Sequence, residues 1–143
     1  MNTKLNVKQW IIASFAVFIV LSILGFLLGK IETSMFQGLP IKVDPAEEIS
    51  MLRIWNYVGR AVYSLLFVFV YTKGFEGKSA ITEGLRYGLW IGLLLNLSGF
   101  FGSLVTTTWP VGFLVFDKSL GFITTIITGI TAAILYKPQQ SPS

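Results

Sequence analysis

The chain contains no cysteine and no histidine. Without cysteine there is no disulfide, no thiolate nucleophile and no thiolate-held zinc or iron–sulfur cluster, and cysteine usage says nothing about the redox compartment. Without histidine the commonest haem and metal ligand is missing, and so is the usual general base near neutral pH. Charge is scarce as well, at 13% of residues against 53% hydrophobic. None of the seven acids falls in the middle of an apolar run. That argues against proton-coupled export of the minimal four-helix kind, and it leaves Ser and Thr hydroxyls without an activating base in such a run. The expectation is a non-enzymatic protein with no cofactor and no metal site.

Long apolar runs are what the sequence does have, and a mean hydropathy of +0.70 is too apolar for an ordinary soluble core of this length. Residues 10–29 carry no charge, and about 20 helical residues at 1.5 Å each cover the roughly 30 Å of a hydrocarbon core. A basic flank precedes this run as in a signal peptide, but the run is longer than the usual apolar region and no Ala-x-Ala site follows, so it is expected to be retained. Further spans are expected at about 51–72, 82–105 and 118–137, with a disordered tail at 138–143. The second span continues a helix that starts near residue 45, where Asp44-Pro45-Ala46-Glu47 combines a capping Asp, a Pro at the first helical position and an early Glu. Residues 111–116 are apolar but too short to span and can be interfacial, re-entrant or an early turn of the last helix, and Asp117 can cap a last helix that runs from Lys118 to Lys137. The fold class that follows is all-α, a polytopic four-helix bundle forming one membrane domain over 1–143.

Basic residues next to the spans set orientation. With the N-terminus inside, Lys4, Lys8, Lys73, Lys78, Arg86 and Lys137 lie on the cytoplasmic side, and Lys30, Lys42, Arg53 and Lys118 on the other. Both termini are expected in the cytoplasm. Because the bases flank apolar runs, the net charge of +4 suits anionic lipid headgroups, not nucleic acid. Trp10, Tyr87, Trp90 and Trp109 fall where an aromatic belt would place them.

Two patterns stand out within the spans. Gly84, Gly88 and Gly92 recur at every fourth residue, Asn96 continues the row, and Gly99 and Ser103 extend it. Such a row lies along one helix face and lets another backbone come close. Gly121, Thr125, Gly129 and Ala133 offer a complement with the same spacing. The row can serve internal packing against the last or the first helix, or a homodimer seam. The second pattern is Arg60, about six residues and hence roughly 9 Å inside the second span. A charge there costs about 2.5–3.5 kcal/mol on insertion scales unless it pairs or reaches water. Asn56 and Ser64 lie one turn to either side, with Tyr63 adjacent. Asp117 is the candidate partner on another span; otherwise Arg60 snorkels or binds an anionic ligand or headgroup. The amide of Asn96, near the middle of the third span, needs a partner from Ser64, Thr124, Thr125 or Thr128.

The segment Glu76-Gly77-Lys78-Ser79-Ala80-Ile81-Thr82-Glu83-Gly84-Leu85-Arg86-Tyr87-Gly88-Leu89, a Glu-Gly followed by glycine every fourth residue on the third of four spans, resembles the small bacterial membrane proteins grouped as DUF1761-like. The resemblance implies four spans and a bacterial cytoplasmic membrane, and carries over no functional residue. Two functional readings follow. The first is a structural or interaction protein, as a homo-oligomer or an accessory subunit of a larger membrane complex. The second is a small-solute or ion transporter or channel with an outward-facing polar cavity around Arg60.

Overall fold

The computed structural model describes residues 5–35 and 46–136, the side chains of 33 and 46–53 excepted. Four helices account for nearly all of it: α1 (Val7–Met35), α2 (Ala46–Lys73), α3 (Ala80–Thr106) and α4 (Val111–Leu135). Each is long and apolar enough to cross a bilayer, and no strand occurs among the described residues. The expected cap at Asp44 and Pro45, the flanking bases Lys4, Lys42 and Lys137, and the tail 138–143 lie outside the described residues.

Two helices depart from the sequence reading. Residues 111–116 form the first turns of α4, and Asp117 lies beyond them inside the helix, not at its cap. The reason is Pro110, whose carbonyl accepts the N–H groups of Phe113 (2.9 Å) and Leu114 (3.1 Å) and closes the first turn. With φ fixed near its helical value, proline is pre-set to start a helix. The other departure is inside α3, which widens into a π-helical turn at Leu93–Leu97, a feature of irregular helices that often lies at functional positions.

Glycine determines the tightest contact, the antiparallel pairing of α3 with α4. A Cβ on Gly84 would stand 2.5 Å from the Ile130 Cα and 2.7 Å from the Gly129 carbonyl oxygen, and one on Gly88 would stand 2.7 Å from the Ile126 Cα. From the other side, a Cβ on Gly129 would meet the Gly84 oxygen at 2.5 Å. No side chain fits between these backbones. The row ends at the π turn: Gly99 meets only the flexible Lys118 side chain at 3.7 Å, and Gly102 faces open space.

Helix α1 packs on α2 and α4, whereas α2 barely touches α4. The core lies toward the end where the start of α1 meets the end of α4, here the termini end, in Ala13 and Val17 of α1, Phe67, Val68 and Tyr71 of α2, and Ala132, Ala133 and Tyr136 near the end of α4. At the opposite end, here the far end, packing is sparse. Every described α2 residue from Ile54 to Gly59 is exposed.

Candidate functional site

Arg60 sits where the closed part of the bundle gives way to the open part. Its guanidinium lies on the bare backbone of Gly25 in α1, where a Cβ would stand 2.6 Å from Nη2. Arg60 also lies over the Tyr57 ring, 5.8 Å from its centroid, a cation–π geometry. Among the described residues no carboxylate lies within 4.0 Å of it. Asp117 is instead bridged to its neighbour Lys118 at 2.7 Å. The expected Arg60–Asp117 pair is therefore not formed, because Arg60 faces α1 while Asp117 is on α4.

The remaining polar candidates scatter. Asn56 is exposed. Ser64 is buried and donates to the Ala61 carbonyl of its own helix at 2.9 Å. Tyr63 stacks on Phe67 at 5.4 Å. Asn96, inside the π turn, donates to the Gly92 carbonyl at 2.9 Å and reaches the Thr125 hydroxyl at 3.5 Å. Its Oδ1 fills the place a Gly121 side chain would take. Thr125 and Thr128 send their hydroxyls back to carbonyls of α4. Ser64 thus stays on the α1–α2 side while Asn96 bridges to α4 through Thr125.

A second constellation lies at the termini end, and the sequence reading did not single it out. Glu83, in the first turn of α3, is 4% exposed. One carboxylate oxygen accepts the Tyr71 hydroxyl at 3.0 Å. The other accepts the backbone N–H groups of Glu76 (3.0 Å) and Lys78 (2.6 Å). One side chain therefore joins α2, the α2–α3 loop and α3. Around it Tyr71 makes edge contacts with Phe75, Tyr87 and Tyr136, and the Tyr87 hydroxyl donates to the Phe67 carbonyl at 2.6 Å. The available signal was position: Glu83 directly precedes Gly84 and lies one turn before Tyr87, on the face that the glycine row buries.

Outside this shell, Glu76 hydrogen-bonds Arg86 and bridges Lys78 at 2.9 Å. The Arg86 guanidinium, and after it the Lys78 ammonium, hold the Glu76 carboxyl down at about 2. These contacts tighten the loop; among the described residues no group of three or more Asp or Glu could hold a metal ion.

Two cavities open on the sides of the bundle. One, of about 400 Å³, lies between α3 and α4 beside the π turn, lined by Leu93, Asn96, Phe100, Lys118 and Phe122 among others. The other, of about 280 Å³, lies between α1 and α2. Both are lined almost wholly by apolar groups. No family model, curated protein or solved structure matches the chain.

Proposed function

We propose that this protein crosses the membrane four times with both termini in the cytoplasm, and that it acts without catalysis, by association, as a homo-oligomer or an accessory subunit. The Lys and Arg bias supports the orientation, and the DUF1761-like resemblance of the third span supports a bacterial cytoplasmic membrane. The observation that carries the association reading is the far end of α2. Residues from Ile54 to Gly59 are all exposed, and a Cβ on Gly59 would meet no described atom within 4 Å. This is a helix segment with an exposed amide at Asn56 that the other described residues leave uncovered. Association in lipid favours such polar and small-residue surfaces.

Because the chain has no cysteine, a single Gly59→Cys gives an unambiguous cross-linking probe. Disulfide-linked dimers of Gly59→Cys in native membranes, together with loss of the wild-type oligomer in Gly59→Leu by native mass spectrometry from nanodiscs, are the expected results. A wild-type protein that is monomeric and alone in nanodiscs and in native-membrane extracts would refute association. A solute or ion path around Arg60 is the second reading, favoured by the lack of a carboxylate within 4.0 Å of that cation among the described residues; the apolar lining of both cavities speaks against it.

A further inference from the structure

We infer that the seam between α1 and α2 is a binding site for one glycerophospholipid, with its phosphate on Arg60 and one acyl chain in the α1–α2 cavity. The inference rests on the membrane-spanning part of the proposed function and is independent of the association part.

Three observations converge on it. First, the Arg60 guanidinium is half-buried and has no carboxylate within 4.0 Å among the described residues. Tyr57 covers a face of it, but a ring face does not accept the in-plane N–H donors, which match phosphate oxygens in paired geometry. Second, its surroundings leave room for a bulky anion. Gly25 provides the bare backbone on which the guanidinium lies, and one turn further along α1 no described atom lies within 4 Å of the place a Gly29 Cβ would take. Third, the seam continues into a cavity suited to hydrocarbon. Its volume of about 280 Å³ far exceeds a water's share of about 30 Å³, and so apolar a space does not hold water. Ile11, Phe15, Phe18, Ala61 and Leu65 supply the apolar walls.

The two parts are aligned. On α1, Gly25, Phe18, Ser14 and Ile11 follow one another at steps of seven, four and three, along one face. On α2, Arg60 and Ser64 are one turn apart on one face. From Gly25 to Ser14 the helix rises about 16 Å.

Ser14 provides a further discriminator. Its hydroxyl is 2% exposed, has no hydrogen-bond partner and lines the same cavity. A hydrocarbon occupant makes no use of that hydroxyl, so Ser14→Ala should leave binding unchanged or strengthen it.

The test is native mass spectrometry of protein released from nanodiscs made of equal parts palmitoyl-oleoyl phosphatidylglycerol and palmitoyl-oleoyl phosphatidylcholine. Wild type should retain one phospholipid per chain. Arg60→Leu should lower the lipid-bound fraction at least tenfold and Arg60→Lys much less. Ala61→Phe, which fills the cavity and leaves the cation in place, should lower it as well. Circular dichroism identifies variants that fold; if Arg60→Leu does not, Ala61→Phe decides. Equal retention in Arg60→Leu and Ala61→Phe would mean ordinary surrounding lipid and would overturn the inference. Delipidated protein incubated with inorganic phosphate distinguishes a soluble anion. A phosphate adduct that requires Arg60, with no lipid retained from nanodiscs, would overturn the lipid assignment, and lipid loss in Ser14→Ala would overturn the acyl-chain assignment. The oligomeric state in the same spectra reports on association separately from lipid count.

Discussion

Removing the Glu83 carboxylate should release the α2–α3 loop and separate α2 from α3. The side chain accepts three hydrogen bonds, and bonds to an ionised acceptor are worth about 1.5–3 kcal/mol each. The Glu76 and Lys78 donors belong to exposed residues and can turn to water, so they count near the low end. The Tyr71 hydroxyl cannot, because Tyr71 is 1% exposed, and an orphaned buried donor costs about 1–3 kcal/mol. Water regained by the carboxylate in the open state offsets part of this. Glu83→Ala should therefore cost about 3 kcal/mol, roughly a hundredfold in the ratio of closed to open loop. Glu83→Gln should cost less, about 2 kcal/mol, since Oε1 can still accept both loop N–H groups and the amide can donate to the Tyr71 oxygen, although the Tyr71 proton loses its acceptor. Tryptic cleavage after Lys78 in detergent-solubilised protein measures loop opening, and a denaturation midpoint measures the whole. Adding Tyr71→Phe to Glu83→Ala removes the orphaned hydroxyl, so the double variant should be no worse than Glu83→Ala alone. Strict additivity of the two substitutions, or equal cleavage rates in the Ala and Gln variants, would refute the shared hydrogen bond.

Glycine replacements should divide by backbone contact. Gly84→Leu forces a side chain into α4 backbone atoms and should cost more than the about 1–3 kcal/mol of ordinary overpacking, while Gly102→Leu, which faces open space, should be close to neutral in the same thermal-unfolding assay. The loop should respond to acid through Glu76, whose carboxyl is depressed from 4.5 to about 2 by Arg86 and then Lys78. A depressed carboxyl contributes stability that is complete above its unfolded value and is lost as pH falls through its folded one. Cleavage by an acid-active protease, or loop amide exchange, should thus stay flat from neutral pH to about 5 and rise between about 4.5 and 2, and Glu76→Gln should remove that rise.

The four spanning-length helices were legible because hydropathy integrates over about 20 residues and tolerates local irregularity. Single positions were less so. A proline after Trp109 could be read as an interruption, yet its carbonyl starts α4 six residues earlier than the first charged position suggested. The π turn at Leu93–Leu97 left no mark in a leucine-rich stretch, since nothing in Leu-Leu-Leu-Asn-Leu distinguishes a wide turn from a normal one. Glu83 stands in the sequence only as one of seven acids outside the middle of the apolar runs. Its burial depends on which way the first turn of α3 faces, and the glycine beside it carried that information.

Depth along a span can be read from residue count, but direction around the helix axis cannot, and the pairing of Arg60 with Asp117 turned on direction. Both lie toward the same end of the bundle, on helices α2 and α4 that barely touch; Arg60 faces Gly25 of α1, and Asp117 pairs with Lys118. The polar groups divide accordingly. At the termini end, Glu83, Tyr71 and Tyr87 have hydrogen-bond partners within the chain, beside a backbone seam closed by glycine. Toward the far end, among the described residues, Arg60 has no carboxylate within 4.0 Å, and Asn56 and the rest of 54–59 on α2 are exposed. A buried or lipid-facing polar group without a partner is costly. At one end the chain meets that cost with its own side chains; around Arg60 the proposed lipid or partner would meet it, and the lipid and association tests therefore both address the far part of α2.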